Sequence, residues 1–66
     1  MQISMNGSLL EIADGSTAEA LVIQLGLAEK RIAMELNQTV IPRSQYPTTV
    51  LKPTDVVEIV HAIGGG

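Results

Sequence analysis

Three glycines, Gly64-Gly65-Gly66, close the chain directly after the apolar run Val56-Val57-Glu58-Ile59-Val60-His61-Ala62-Ile63. Fully extended, such a tail spans about 10 Å, at roughly 3.3–3.6 Å per residue. Without Cβ atoms it is thin enough to pass through a narrow slot and carry a terminal carboxylate to a catalyst, although ordering glycine costs more entropy than ordering any other residue. A frayed end has the same composition, because chain termini are commonly disordered. The strand pattern separates the two readings: it runs to His61 and leaves only Ala62 and Ile63 before the glycines. A carboxylate on a short arm leaving a rigid body is expected to be a delivery device. At neutral pH an α-carboxyl group, with a usual pKa of about 3.3–3.7, is an anion and a poor electrophile, so chemistry at its carbonyl carbon requires prior activation.

No other residues suggest catalysis within the chain. There is one histidine and no cysteine, and no carboxylate pair is expected on a cleft, so the chain is read as a carrier acted on by others and not as an enzyme. No metal site is expected. His61 ends a strand and is expected on the surface. Lys30 and Arg31, beside Glu29, are read as a solvated loop after a helix C-terminus, where positive charge suits the helix dipole. Arg43, after Pro42, either contacts an acidic partner or caps a turn. Asn6 and Asn37 are read as turn formers.

Sixty-six residues make a single domain, expected over 1–63, with 64–66 as a flexible glycine tail. The composition is 45% hydrophobic with one tyrosine and no phenylalanine or tryptophan, so the core must be aliphatic with methionine. Without cysteine, no disulfide or thiolate–metal site reinforces it. A net charge of −3 with four basic residues argues against nucleic-acid binding, which needs clustered Lys and Arg. No stretch reaches the length of a membrane span, and no basic region followed by an apolar run opens the chain, so a cytoplasmic location is expected.

The elements that position the tail follow from periodicity. Met1, Ile3 and Met5 alternate with Gln2, Ser4 and Asn6 as a strand with one buried face. Asn6-Gly7 is a strong hairpin signal, because both residues tolerate positive φ. Leu10 and Ile12 continue the apolar face, which puts Leu9 on the other one. Ala13-Asp14-Gly15 breaks the strand, and Ser16 with Glu19 predicts a capping box opening a helix of about ten residues. Ala18, Leu21, Val22 and Leu25 form its apolar stripe, and Gly26 ends it. Ile32, Met34 and Leu36 mark a third strand, Asn37-Gln38-Thr39 a turn, and Val40-Ile41 a short run stopped by Pro42. Arg43 to Pro47 reads as a helical turn with Tyr46 over the core edge, Thr48 to Leu51 as a short strand, and Lys52-Pro53-Thr54-Asp55 as a turn. The last strand, Val56 to His61, is apolar on both sides, with Val57 and Ile59 on one and Val56 and Val60 on the other. Such a strand is either central or borders an exposed patch.

This order predicts an α+β fold of the β-grasp (ubiquitin-like) type: a mixed sheet with one helix packed across one face and the first and last strands parallel at its centre. The side away from the helix stays open, and Leu9, Glu58 and Val60 are expected there as a partner surface.

The whole chain resembles the ThiS family, the sulfur carriers of thiamine biosynthesis. The matching residues are Met1-Gln2-Ile3 with Asn6, Asp14-Gly15, Glu35-Leu36-Asn37, Val40-Ile41-Pro42-Arg43, Asp55 and the terminal Gly65-Gly66. Gly64 is a third glycine beyond the minimal pair. The resemblance implies that Gly66 is the covalent carrier site and that Gly64 and Gly65 give access. It implies a ThiF-like adenylating enzyme using ATP and magnesium, a sulfur donor protein whose persulfide converts the adenylate to a thiocarboxylate, and a ThiG-like thiazole synthase that takes the sulfur. The chain itself is expected to bind no cofactor, nucleic acid or membrane. A molybdopterin-type carrier and a ubiquitin-like modifier would use the same C-terminal activation.

Overall fold

Alternation of apolar residues every second position does produce the expected strands. A computed structural model describes residues 1–62 of the chain and contains β1 (Gln2–Met5), β2 (Ser8–Glu11), α1 (Ala18–Gln24), β3 (Ile32–Leu36), β4 (Thr39–Ile41), a 3-10 helix (Arg43–Thr48) and β5 (Val56–His61). The five strands form one mixed sheet in the order β2-β1-β5-β3-β4. β5 lies at its centre, parallel to β1 and antiparallel to β3. The expected tail over 64–66, and Ile63 before it, lie outside the described residues.

Both hairpins depend on left-handed two-residue turns. Asn6 (φ 50°) and Gly7 (φ 84°) join β1 to β2, and Asn37 (φ 50°) and Gln38 (φ 71°) join β3 to β4. Positive φ at both central positions matches the right-handed twist of the flanking strands. Thr39, expected in the second turn, is instead the first residue of β4 and pairs with Leu36.

The helix differs from expectation at its start. Thr17, not Ser16, is the N-cap, and its hydroxyl accepts the Ala20 N–H at 3.1 Å. The Ser16 hydroxyl instead donates to the Ala13 carbonyl at 2.6 Å, closing the preceding turn. The helix is seven residues long, not about ten. At its other end Gly26 (φ 74°) carries a Schellman closure, in which the N–H groups of Gly26 and Leu27 donate to the carbonyls of Ile23 and Val22.

The predicted strand over Thr48–Leu51 does not form. Thr48 closes the 3-10 helix, and Val50 makes only an isolated bridge to Thr17. The backbone of this segment serves the helix: Ala18 N–H donates to the Thr49 carbonyl, and Leu51 N–H to that of Ser16. Thr54, in the turn before β5, has φ 69°, a strained value for a β-branched residue.

Ala18, Leu21 and Val22 pack with Ile3, Ile12, Met34, Tyr46, Leu51, Val57 and Ile59 in one core on the helix side of the sheet. At the sheet's edge the Met1 ammonium bridges Glu11 and Asp14, at 3.0 Å to each, and donates to the Ile12 carbonyl. The hydrogen bonds to Asp14 and then Glu11 raise its pKa above the usual value. Its contribution to stability is therefore complete below that usual value and is lost as pH rises through the raised one.

Leu21 is fully buried, so Leu21→Ala should cost about 2–5 kcal/mol, enough to abolish a cooperative thermal transition in so small a domain. Thr54→Gly should move stability the other way, by about 0.5–1 kcal/mol, through relief of the left-handed strain. Paired thermal and urea melts check both, and an unchanged midpoint for Leu21→Ala would reject the packing.

Candidate functional site

The strand that leads to the glycine run is held from both sides. On one edge of β5, β1 pairs only through Ser4–Val56 and Met5–Val57 before it turns away at Asn6. The Asn6 side chain then takes over from the backbone. Its Oδ1 accepts the Ile59 N–H at 2.8 Å, and its Nδ2 donates to the Ile59 carbonyl at 3.0 Å. Asn37 does similar work on the opposite edge, where its backbone N–H donates to the Val56 carbonyl and its Oδ1 accepts the Val56 N–H at 2.9 Å. Pairing with β3 continues through Ile32–His61, and the Ala62 N–H donates to the Arg31 carbonyl. Both asparagines form turns, as expected, and each also clamps β5.

Alternation along β5 sends Val57 and Ile59 into the core and leaves Val56, Glu58 and Val60 exposed on the open face. Cross-strand register adds the rest of that face. Ala33 lies opposite Val60, Glu35 opposite Glu58, and Val40 opposite Glu35. These residues, with Asn6, line an open depression of about 460 Å³. Leu9, on the same face opposite Ser4, is 74% exposed but lies beyond β1 and outside the depression. Of the three residues expected as a partner surface, Glu58 and Val60 therefore come together and Leu9 stands apart.

The register also overturns one expectation, that no carboxylate pair would lie on a cleft. Glu35 and Glu58 are such a pair. Alternation alone places each on the polar side of its own strand, but only the pairing of β3 with β5 makes them neighbours. Among the described residues no group of three or more His, Cys, Asp or Glu is arranged to hold a metal ion.

The remaining candidates take structural positions. His61 is exposed at the end of β5. Lys30 and Arg31 lie in the exposed segment between α1 and β3. Arg43 reaches back to that segment, donating to the carbonyls of Lys30, at 2.8 Å, and Ala28, with its guanidinium 5.7 Å from the Tyr46 ring centroid. It holds a loop, as the turn-capping alternative had it. Gly64, Gly65 and Gly66 lie outside the described residues. No helix among the described residues is long and apolar enough to cross a membrane.

The ThiS family profile matches residues 3–66. The chain belongs to the ThiS family. It is 30% identical to the sulfur carrier protein ThiS of Escherichia coli, over the full length of both chains. A crystal structure of the thiamine biosynthesis protein ThiS from Geobacter metallireducens superposes with a TM-score of 0.87 at 29% identity, covering all of both chains, and supports the β-grasp assignment. A thiazole synthase of Magnetococcus marinus is 41% identical over the whole chain, which spans only 20% of that larger protein. A ThiS-family domain thus also occurs within a longer polypeptide.

Asn6→Ala should cost about 1–3 kcal/mol, because it strands the part-buried Ile59 N–H and carbonyl and puts a Cβ-bearing residue without a local polar group at positive φ. Asn6→Gly keeps the backbone conformation and loses only the amide. A clamp therefore predicts that both variants accelerate hydrogen exchange at the Ile59 amide. Protection unchanged in Asn6→Gly would reduce Asn6 to a turn former.

Proposed function

We propose that this chain is a sulfur carrier for thiamine biosynthesis, with the Gly66 carboxylate as its covalent site. The observation that carries the reading is the hold on β5. The domain is hydrogen-bonded as far as Ala62, and only Ile63 separates it from Gly64-Gly65-Gly66. Membership of the ThiS family and identity to a named sulfur carrier along the full chain support the same conclusion.

The chemistry begins with an anion that must be made electrophilic. A carboxylate oxygen of Gly66 attacks the α-phosphorus of ATP in an adenylating partner, which supplies the magnesium site, and pyrophosphate leaves. A persulfide sulfur of a donor protein then attacks the carbonyl carbon of the mixed anhydride and expels AMP. When a thiol cleaves the resulting acyl disulfide at the sulfur nearer the donor protein, the carrier is left as a thiocarboxylate. A thiazole synthase receives that sulfur, and the occurrence of this domain within thiazole synthases favours such an enzyme as partner. Catalytic groups come from the partners. This chain contributes a rigid base, the thin tail, and the open face bearing Leu9, Glu58 and Val60 as a docking surface.

A Cβ near the reacting carboxylate would meet the walls of the slot that excludes water. Gly66→Ala is therefore expected to slow ATP–pyrophosphate exchange by about 10²-fold, and Gly64→Ala far less, with equal thermal stability. Removing Gly66 leaves Gly65 as a new glycine terminus on an arm shorter by about 3.5 Å, so exchange should fall without vanishing. Intact mass of the carrier after reaction should rise by the difference between sulfur and oxygen. A lysine-linked conjugate would instead indicate a protein modifier, and sulfur gained by a C-terminally amidated chain would overturn Gly66 as the site.

A further inference from the structure

Glu35 and Glu58 sit directly opposite each other where β3 meets β5, at the centre of the open face. Opposed residues on one face of an antiparallel pair bring their Cβ atoms to about 4.5–5.5 Å, and like charges placed so destabilise a sheet. Neither carboxylate has a hydrogen-bond or ion-pair partner among the described residues. Their neighbours on the face are aliphatic: Ala33 and Val60 one register step away, Val40 beside Glu35, and Val56 beside Glu58 on β5. Val40 and Val60 are 64% and 61% exposed. The fold gains nothing from two unpaired carboxylates amid exposed valines. A departure of this kind from local stability is expected where a surface serves another molecule.

We propose that this depression receives an arginine of the adenylating partner, its guanidinium seated between Glu35 and Glu58 and aliphatic side chains beside it packing on Val40, Val56 and Val60. Charge complementarity fixes the sign of the incoming group. Arginine fits better than lysine because its planar fork meets two carboxylates at once and its weaker hydration makes burial on docking less costly. Two carboxylates on an open face supply too few oxygens for calcium, which takes about six to eight ligands. The pair would act in docking and register and would touch no reacting atom. The proposal rests on the carrier reading for the identity of its partner.

The test titrates the full chain, as wild type, Glu35→Gln, Glu58→Gln and the double variant, into the cognate adenylating enzyme by calorimetry at low and moderate salt. Each single variant should weaken binding about tenfold, and the double variant by less than the product of the two, because one guanidinium serves both carboxylates. The salt dependence seen with wild type should flatten in the double variant. Thermal midpoints should stay level or rise, since the repulsion is relieved. Unchanged affinity in the double variant would overturn the proposal, and so would a lowered midpoint, which would show that the carboxylates serve the fold. Pyrophosphate exchange on the wild-type complex reads the tail separately. Charge-dependent binding without exchange would reject the carrier reading and leave the docking site standing. Exchange with binding indifferent to both substitutions would do the reverse.

Discussion

Insertion of β5 between β1 and β3 is the constraint on which the rest of the molecule depends. Parallel pairing with β1 requires a long crossover, and the segment between β2 and β5 supplies it, with α1 lying across the sheet. Only from the central position can Val57 and Ile59 meet Leu21 and Val22 from the helix and Met34 from β3 in one core. The core is small and, apart from Tyr46, aliphatic or methionine, so few contacts are redundant. The same insertion fixes the direction in which the chain leaves the sheet, toward the glycine run.

Backbone polar groups in a central strand need partners on both edges, and here the strands alone do not supply enough. β1 pairs with β5 over two residues, and beyond Met5 the Ile59 peptide would be left without a partner on that side. Asn6 meets this need with a carboxamide that mimics a peptide group, offering one acceptor and one donor in the plane a strand would use. Asn37 secures the start of β5 from the other edge and also donates to Asp55. One residue type thus answers two demands at each site: a left-handed turn, which asparagine tolerates, and a lateral clamp, which glycine lacks.

The two faces of the sheet are governed by different demands. The helix side is optimised for burial, and no polar or charged residue is buried there. The open side keeps exposed valines and an opposed pair of glutamates, which the domain by itself does not need. Stability and association therefore act on alternate residues of the same strand. For β5 this means that Val57 and Ile59 hold the fold while Glu58 and Val60 remain available to a partner.

Local chemistry made much of this readable in the sequence. Period-two alternation gave the strands, Asn6-Gly7 the first hairpin, Gly26 the helix end, and apolar residues on both sides of Val56–His61 the central strand. Where neighbours in space compete, sequence was a poorer guide. Ser16 and Thr17 are both able to cap a helix, and the choice went to Thr17 because the Ser16 carbonyl and hydroxyl are engaged by Leu51 and Ala13. Thr48–Leu51 has strand-like residues, but its hydrogen bonds go to the start of the helix and not to a sheet edge. The Glu35–Glu58 pair was invisible for a related reason. Alternation assigns each residue a face, but neighbours across strands depend on register, which is set by turns and packing far apart in the chain. Sequence by itself determined the elements, their order and the glycine terminus, because these follow from the periodicity and conformational freedom of adjacent residues. Only the tertiary structure decided which side chains became neighbours on the open face, because β3 and β5 meet across more than twenty intervening residues.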